Sequence, residues 1–259
     1  MADQPSRIKA IETRYAGCRF RSRLEARWAV FFDTLGIRWE YEPEGFLVGF
    51  DQRPYLPDFR LPGLNVWVEV KGDRNLFDWQ LMLDAVDWGH GLPGMENTLG
   101  DHGGLLLLSD IPREPQWFPI LQHQKGVSVC AAQFAAGEIF VGPDGLGYGE
   151  STWGNVESHF VESVQMIFDA SRTTVWKGHD WVPGHYGLRT QTEWFIHDPR
   201  GRVLGALESA RSARFEYGET PTPNPDNLVA QRFAADREMM PHIFGCNCMA
   251  WQQCDHCAV

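Results

Sequence analysis

Asp58, Glu69 and Lys71 stand where metal-assisted phosphate chemistry would want them. Glu69 and Lys71 are two apart in Asn-Val-Trp-Val-Glu-Val-Lys, and in an extended strand such side chains project from one face of the sheet. Asp58 precedes Glu69 by eleven residues, with Pro57 able to hold the chain extended and Pro62-Gly63 marking a turn in between. A strand–turn–strand hairpin of that length brings the two carboxylates together. Two carboxylates on one face are hard oxygen ligands suited to Mg²⁺, which needs few protein ligands because it keeps several waters. A lysine beside such a cation can orient an attacking water or stabilise charge developing on a phosphate.

The elements that must carry these groups show in the hydrophobic pattern. Leu24, Trp28, Phe31, Phe32 and Leu35 form one apolar stripe at helical spacing, so a helix is predicted over 22–35, with Ser22 as N-cap and Gly36 closing it. Glu25 has two readings: the third residue of a capping box with Ser22, or an acid at the border of the buried stripe that reaches inward. Trp39 and Tyr41 alternate with Glu40 and Glu42 as in a half-exposed strand. A second strand is expected over 55–61, interrupted by Pro57, and a third over 65–71. In the third, Val66, Val68 and Val70 face one way and Trp67, Glu69 and Lys71 the other. A helix over 75–88, a loop over 89–104 and a buried strand over 105–108 follow. Residues 1–110 thus read as helix, three strands, helix, strand: a mixed α/β (α+β) core with its strands adjacent in one sheet.

Pro57-Asp58 followed by Glu69-Val70-Lys71 resembles the signature of the PD-(D/E)XK nuclease superfamily, and that superfamily's αβββαβ core matches the order of elements over 22–108. The opening segment resembles phage-encoded and transposon-end endonucleases of this group, over about residues 15–110. The resemblance implies a restriction-endonuclease-like core and a metal-dependent DNA endonuclease in which Asp58, Glu69 and the Val70 carbonyl hold Mg²⁺ or Mn²⁺. Phosphodiester hydrolysis would use a metal-activated water aligned by Lys71. It also implies that Glu25 joins or supports the site, with Arg19, Arg21, Arg23 and Arg27 as phosphate clamps and Gln80 as a further nucleic-acid contact. Taken singly, Asp58 also suits a turn cap and Glu69 with Lys71 a solvated pair. Two other functions stay open: a nucleic-acid-binding or assembly subunit without cleavage, and an RNA-directed nuclease.

Composition bounds these readings. Across 259 residues, 43% are hydrophobic and 22% charged, which excludes global disorder. No apolar run approaches the ~20 residues of a membrane span, and the polar first fifteen residues lack an apolar stretch, so a cytoplasmic protein is expected. The net charge of −11 argues at first against a nucleic-acid partner. Its distribution argues otherwise. Residues 1–38 hold eight Lys and Arg against four Asp and Glu, a net +4, which leaves −15 for the rest.

The second half is less legible. Strands are expected over 127–134 and 138–142, then a Gly-rich stretch, helices over 156–170 and 203–217, and a semi-extended linker around Pro221, Pro223 and Pro225. The anticipated organisation is a nuclease-like core over 1–110, additional strands and helices of unassigned role over 111–220, taken together as an α-rich C-terminal extension, and a Pro-rich linker, short helix and Cys-rich tail over 221–259. His179, His185 and His197 lack metal-ligand spacing and read as structural. Cys18 and Cys130 read as small core residues. Cys246, Cys248, Cys254 and Cys257 form two chelating pairs suited to a structural Zn²⁺, or to an iron–sulfur cluster, with His242 and His256 as substitute ligands. A protein partner is a further expectation, through that tail.

Overall fold

The computed structural model describes residues 11–95, 103–123, 127–135, 137–141, 146–147, single positions between 161 and 169, 200–216 and 219–227. Helix α1 (Arg23–Leu35) forms where the apolar stripe predicts it. Ser22 Oγ accepts the Glu25 N–H at its start, and Gly36, at φ 73°, closes it in the left-handed conformation that favours glycine. Before α1 comes a hairpin with no expectation attached, β1 (Thr13–Tyr15) and β2 (Cys18–Phe20). Its turn, Ala16-Gly17, has positive φ at both residues, as the right-handed twist of a tight hairpin requires.

The strands after α1 are β3 (Glu40–Tyr41), β4 (Phe46–Val48), β5 (Arg53–Tyr55), β6 (Phe59–Leu61) and β7 (Val66–Val70). The single strand expected over 55–61 is therefore two. Tyr55 closes a separate β4–β5 hairpin, and β6 starts only after Leu56-Pro57-Asp58. The helix expected over 75–88 is shorter as well. A 3₁₀ turn covers Arg74–Leu76, Asp78 then caps the Leu81 N–H, and α2 spans Trp79–Ala85, burying Met82 and Ala85. Strand β8 (Gly104–Leu108) runs parallel to β7, the arrangement a helical crossover permits.

Past residue 110 lie β9 (Phe118–His123), with no expectation attached, β10 (Val127–Ala135) and β11 (Glu138–Val141), where strands are expected, and β12 (Leu146–Gly147); the described part of an extension expected to be α-rich thus holds more strand than helix. Pro119 inside β9 hides that strand from pattern reading, because proline argues against a central strand. Together these build an eight-stranded mixed sheet in the order β11-β10-β9-β8-β7-β6-β3, with β12 beside β10. Helix α3 (Arg202–Ser212) follows the Gly201 cap.

The alternation in β7 sorts its side chains between two cores. Val66, Val68 and Val70 join Leu106, Leu108 and Ile120 under α1 and α3. Trp67 joins Leu105, Leu107 and Leu121 on the opposite face, under α2 and the helical positions Val164, Ile167 and Phe168. Cys18 and Cys130 belong to the first core, and burial pushes the Cys18 thiol up to about 12.

The segment read as a linker is pinned to the core. Asn227 is fully buried; its amide donates to the Ile37 carbonyl at 3.1 Å and to Asp33, and its Oδ1 accepts the Trp39 N–H. Asp33 also accepts from the Asn224 N–H, Tyr15 OH and Trp39 Nε1. One carboxylate on α1 thereby ties the Pro-rich segment to the sheet.

Candidate functional site

The C-terminal end of β7, the start of β6 and the N-terminus of α1 bring together Asp58, Glu69, Lys71 and Glu25. Asp58 is 2% exposed, Glu69 5% and Glu25 7%, low values for carboxylates. Each is held by donors of its own. Asp58 Oδ2 accepts the Val70 main-chain N–H at 2.7 Å, and Asp58 Oδ1 faces Arg21 Nη2 at 3.3 Å. Glu69 Oε2 accepts from Tyr55 OH at 2.9 Å, while Glu69 Oε1 is paired with the Lys71 ammonium. Glu25 keeps half of the capping box and reaches inward as well. Its N–H is capped by Ser22, and its side chain turns inward to accept Ser22 Oγ at 2.6 Å and Tyr41 OH at 2.7 Å.

The Lys71 ammonium is the informative atom. It contacts Glu69 Oε1 and lies 3.4 Å from the Val70 carbonyl and 4.0 Å from Asp58 Oδ2. The three oxygen-bearing groups that could hold a divalent cation thus already converge on a positive charge. Two carboxylates and one carbonyl suit Mg²⁺, which completes its shell with water. Among the described residues, no group of three or more His, Cys, Asp or Glu is arranged to hold a metal ion, so a site demanding an all-protein cage does not fit.

Electrostatics point the same way. Burial first, and then Glu69, push the Asp58 carboxyl up to about 8, although Lys71 pulls it down. Burial alone would lower Lys71, but Glu69 and Asp58 more than offset it and the net shift is upward. Burial also raises Tyr55 well above the ordinary phenol range, helped by Glu69, so Tyr55 stays a donor. With Glu42, held by Arg21, the cluster has four carboxyl groups against two cations.

The remaining sequence-predicted residues are more dispersed. Arg21 alone among the four arginines touches the cluster, bridging Asp58 and Glu42. Arg19 pairs with Glu12 and Arg23 with Glu216. Arg27 is part-buried, with its Nε lacking a hydrogen-bond partner. Gln80 is exposed on α2 and donates to Asp84 of its own helix at 2.9 Å. Cys246, Cys248, Cys254 and Cys257, with His242 and His256, lie outside the described residues. Sequence reading missed Tyr41, Glu42 and Tyr55. Their role depends on which carboxylate each hydroxyl or charge meets across the fold, and only their position in short alternating segments hinted at it.

A separate cleft of about 700 Å³ opens between α1, α3 and residues 219–224, lined by Asp33, Ser209 and Thr222 among others. The site chemistry lies elsewhere, because the Asp33 oxygens are taken up by structural donors. Comparison with family models, curated proteins and solved structures returned no match for the chain.

Proposed function

We propose that the chain is a divalent-cation-dependent DNA endonuclease of the PD-(D/E)XK kind. The observation that carries this reading is the convergence of Asp58, Glu69, the Val70 carbonyl and Lys71 at the end of β7, with Glu25 arriving from α1. The order α1–β3–β6–β7–α2–β8 supports it, with β6 antiparallel and β8 parallel to β7. Asp58, Glu69 and the Val70 carbonyl would hold Mg²⁺ or Mn²⁺, which when bound lowers the pKa of water and neutralises charge on the leaving oxygen.

The chain's own residues do the rest. Val70 N–H and Tyr55 OH fix the two carboxylates, so that Asp58 Oδ1 and Glu69 Oε1, which face Arg21 and Lys71, are the oxygens a cation would claim. Lys71, kept protonated by its carboxylate neighbours, supplies a charge beside the reacting phosphate. Glu25, through Tyr41, anchors the turn that carries Arg21.

The test is cleavage of supercoiled and linear DNA with Mg²⁺ or Mn²⁺. Asp58→Ala and Lys71→Ala are each expected to lose at least about 100-fold in rate, the scale of a positioned charge or acid–base group. Variants as active as wild type would sink the assignment. A second reading, a nucleic-acid-binding subunit without cleavage, draws on the fact that Lys71 and Arg21 already neutralise part of the cluster. Binding of DNA by a wild type inert towards DNA and RNA would favour it.

A further inference from the structure

We infer that Arg21 couples cation binding to nucleic-acid binding: its guanidinium holds Asp58 and Glu42 while no divalent cation is present, and transfers to a substrate phosphate when one binds. This inference rests on the cation-dependent reading above and deepens it.

Arg21 Nη2 lies 3.3 Å from Asp58 Oδ1, the oxygen of that carboxylate not taken by Val70, and Arg21 Nε is paired with Glu42. A divalent cation that takes Asp58 Oδ1 displaces the guanidinium. The main chain need not move. The Arg21 N–H is anchored on Tyr41 OH at 3.0 Å, while the side chain is 58% exposed and free to turn into solvent. Lys71 has less freedom, because its stem is largely covered and its ammonium is enclosed by Glu69, Asp58 and the Val70 carbonyl.

Arg19 and Arg23 are engaged by Glu12 and Glu216, away from Asp58. A planar guanidinium that spans two carboxylates also matches the paired oxygens of a phosphate. Once the cation claims Asp58 Oδ1, the Nη edge of the fork is released and, turning on its Glu42 contact, is presented at the mouth of the site to the incoming backbone. Because coupling free energies are reciprocal, a phosphate that draws Arg21 away also eases cation binding.

Two binding measurements on the full chain separate this from a simple clamp: Mn²⁺ titration by electron paramagnetic resonance without nucleic acid, and anisotropy of a labelled duplex in Ca²⁺ and in chelator. Arg21→Gln is expected to bind Mn²⁺ about fivefold more tightly, to lose about tenfold in duplex affinity in Ca²⁺, and to match wild type in chelator, in the usual range of site-to-site coupling. Arg23→Gln, which removes a charge paired with Glu216, is expected to keep Mn²⁺ affinity within about twofold of wild type, a change too small to count as coupling. Mn²⁺ binding by Arg21→Gln that is equal to or weaker than wild type overturns the inference, and so does an equal gain in Arg23→Gln. If the wild type still binds Mn²⁺ and cleaves DNA, the nuclease reading survives that result. A wild type that neither binds Mn²⁺ nor cleaves overturns both.

Discussion

Asp58 holds its proton more tightly in the folded chain than in the unfolded one, since burial and Glu69 raise its carboxyl to about 8 while an unfolded aspartate titrates near ~3.9. The sign follows from linkage. The stability associated with that proton is complete below the unfolded value and is lost as pH rises towards the folded one. Without divalent cations, Asp58→Asn keeps an acceptor for the Val70 N–H and removes the cost of the buried charge. It is expected to melt about 3 °C or more above wild type at pH 8, with the gap closing as pH falls towards the unfolded value of ~3.9. Saturating Mg²⁺ should narrow the gap by stabilising only the wild type. A wild type that matches the variant at pH 8 in chelator would show that Asp58 carries no such cost.

At the scale of elements, α1 links stability to the site. Ser22 Oγ accepts the Glu25 N–H at 3.2 Å and donates to Glu25 Oε1 at 2.6 Å, so one hydroxyl caps the helix and orients a site carboxylate. Ser22→Ala should cost about 1 kcal/mol, a fall of roughly 2–4 °C in melting temperature, whereas Ser22→Thr should stay near wild type. Unchanged thermal melting of Ser22→Ala would mean that the cap contributes nothing. The cap and its Ser22-x-x-Glu25 spacing were legible in sequence because an N-cap is a local device. The split of residues 53–61 between β5 and β6 was not. Whether Tyr55 continues into Phe59 depends on the β4–β5 hairpin turning away from the main sheet, a tertiary choice.

At the scale of the whole molecule, three of the eight cations in the first 38 residues meet carboxylates among the described residues: Glu216 for Arg23, Asp58 and Glu42 for Arg21, and the nearer Glu12 for Arg19. Sequence arithmetic therefore overstates the free cationic surface there. The Pro-rich segment behaves similarly, because Asn227 and Asp33 fasten it across α1. Asn227→Ala would remove the side-chain acceptor of the Trp39 N–H, the side-chain donor to the Ile37 carbonyl and one of the two donors to Asp33 Oδ1. A loss of about 2–3 kcal/mol is expected, read as a lower melting temperature and faster proteolysis within 219–227. Equal protease resistance in the variant would show that the segment is held by packing alone.

The sequence by itself determined α1, β7 and β8, the two-faced sorting of β7, and the meeting of Asp58 with Glu69 and Lys71. Each follows from a period of 3.6 or 2 acting over a few residues, and burial selects the apolar phase of such a period. Only the tertiary structure decided that Tyr55 and Tyr41 hold the carboxylates, that Arg21 bridges Asp58 and Glu42, and that β9 extends the sheet through Pro119. These contacts join segments whose approach no local pattern encodes. Packing sets that approach, through the way two hydrophobic faces close on a single sheet.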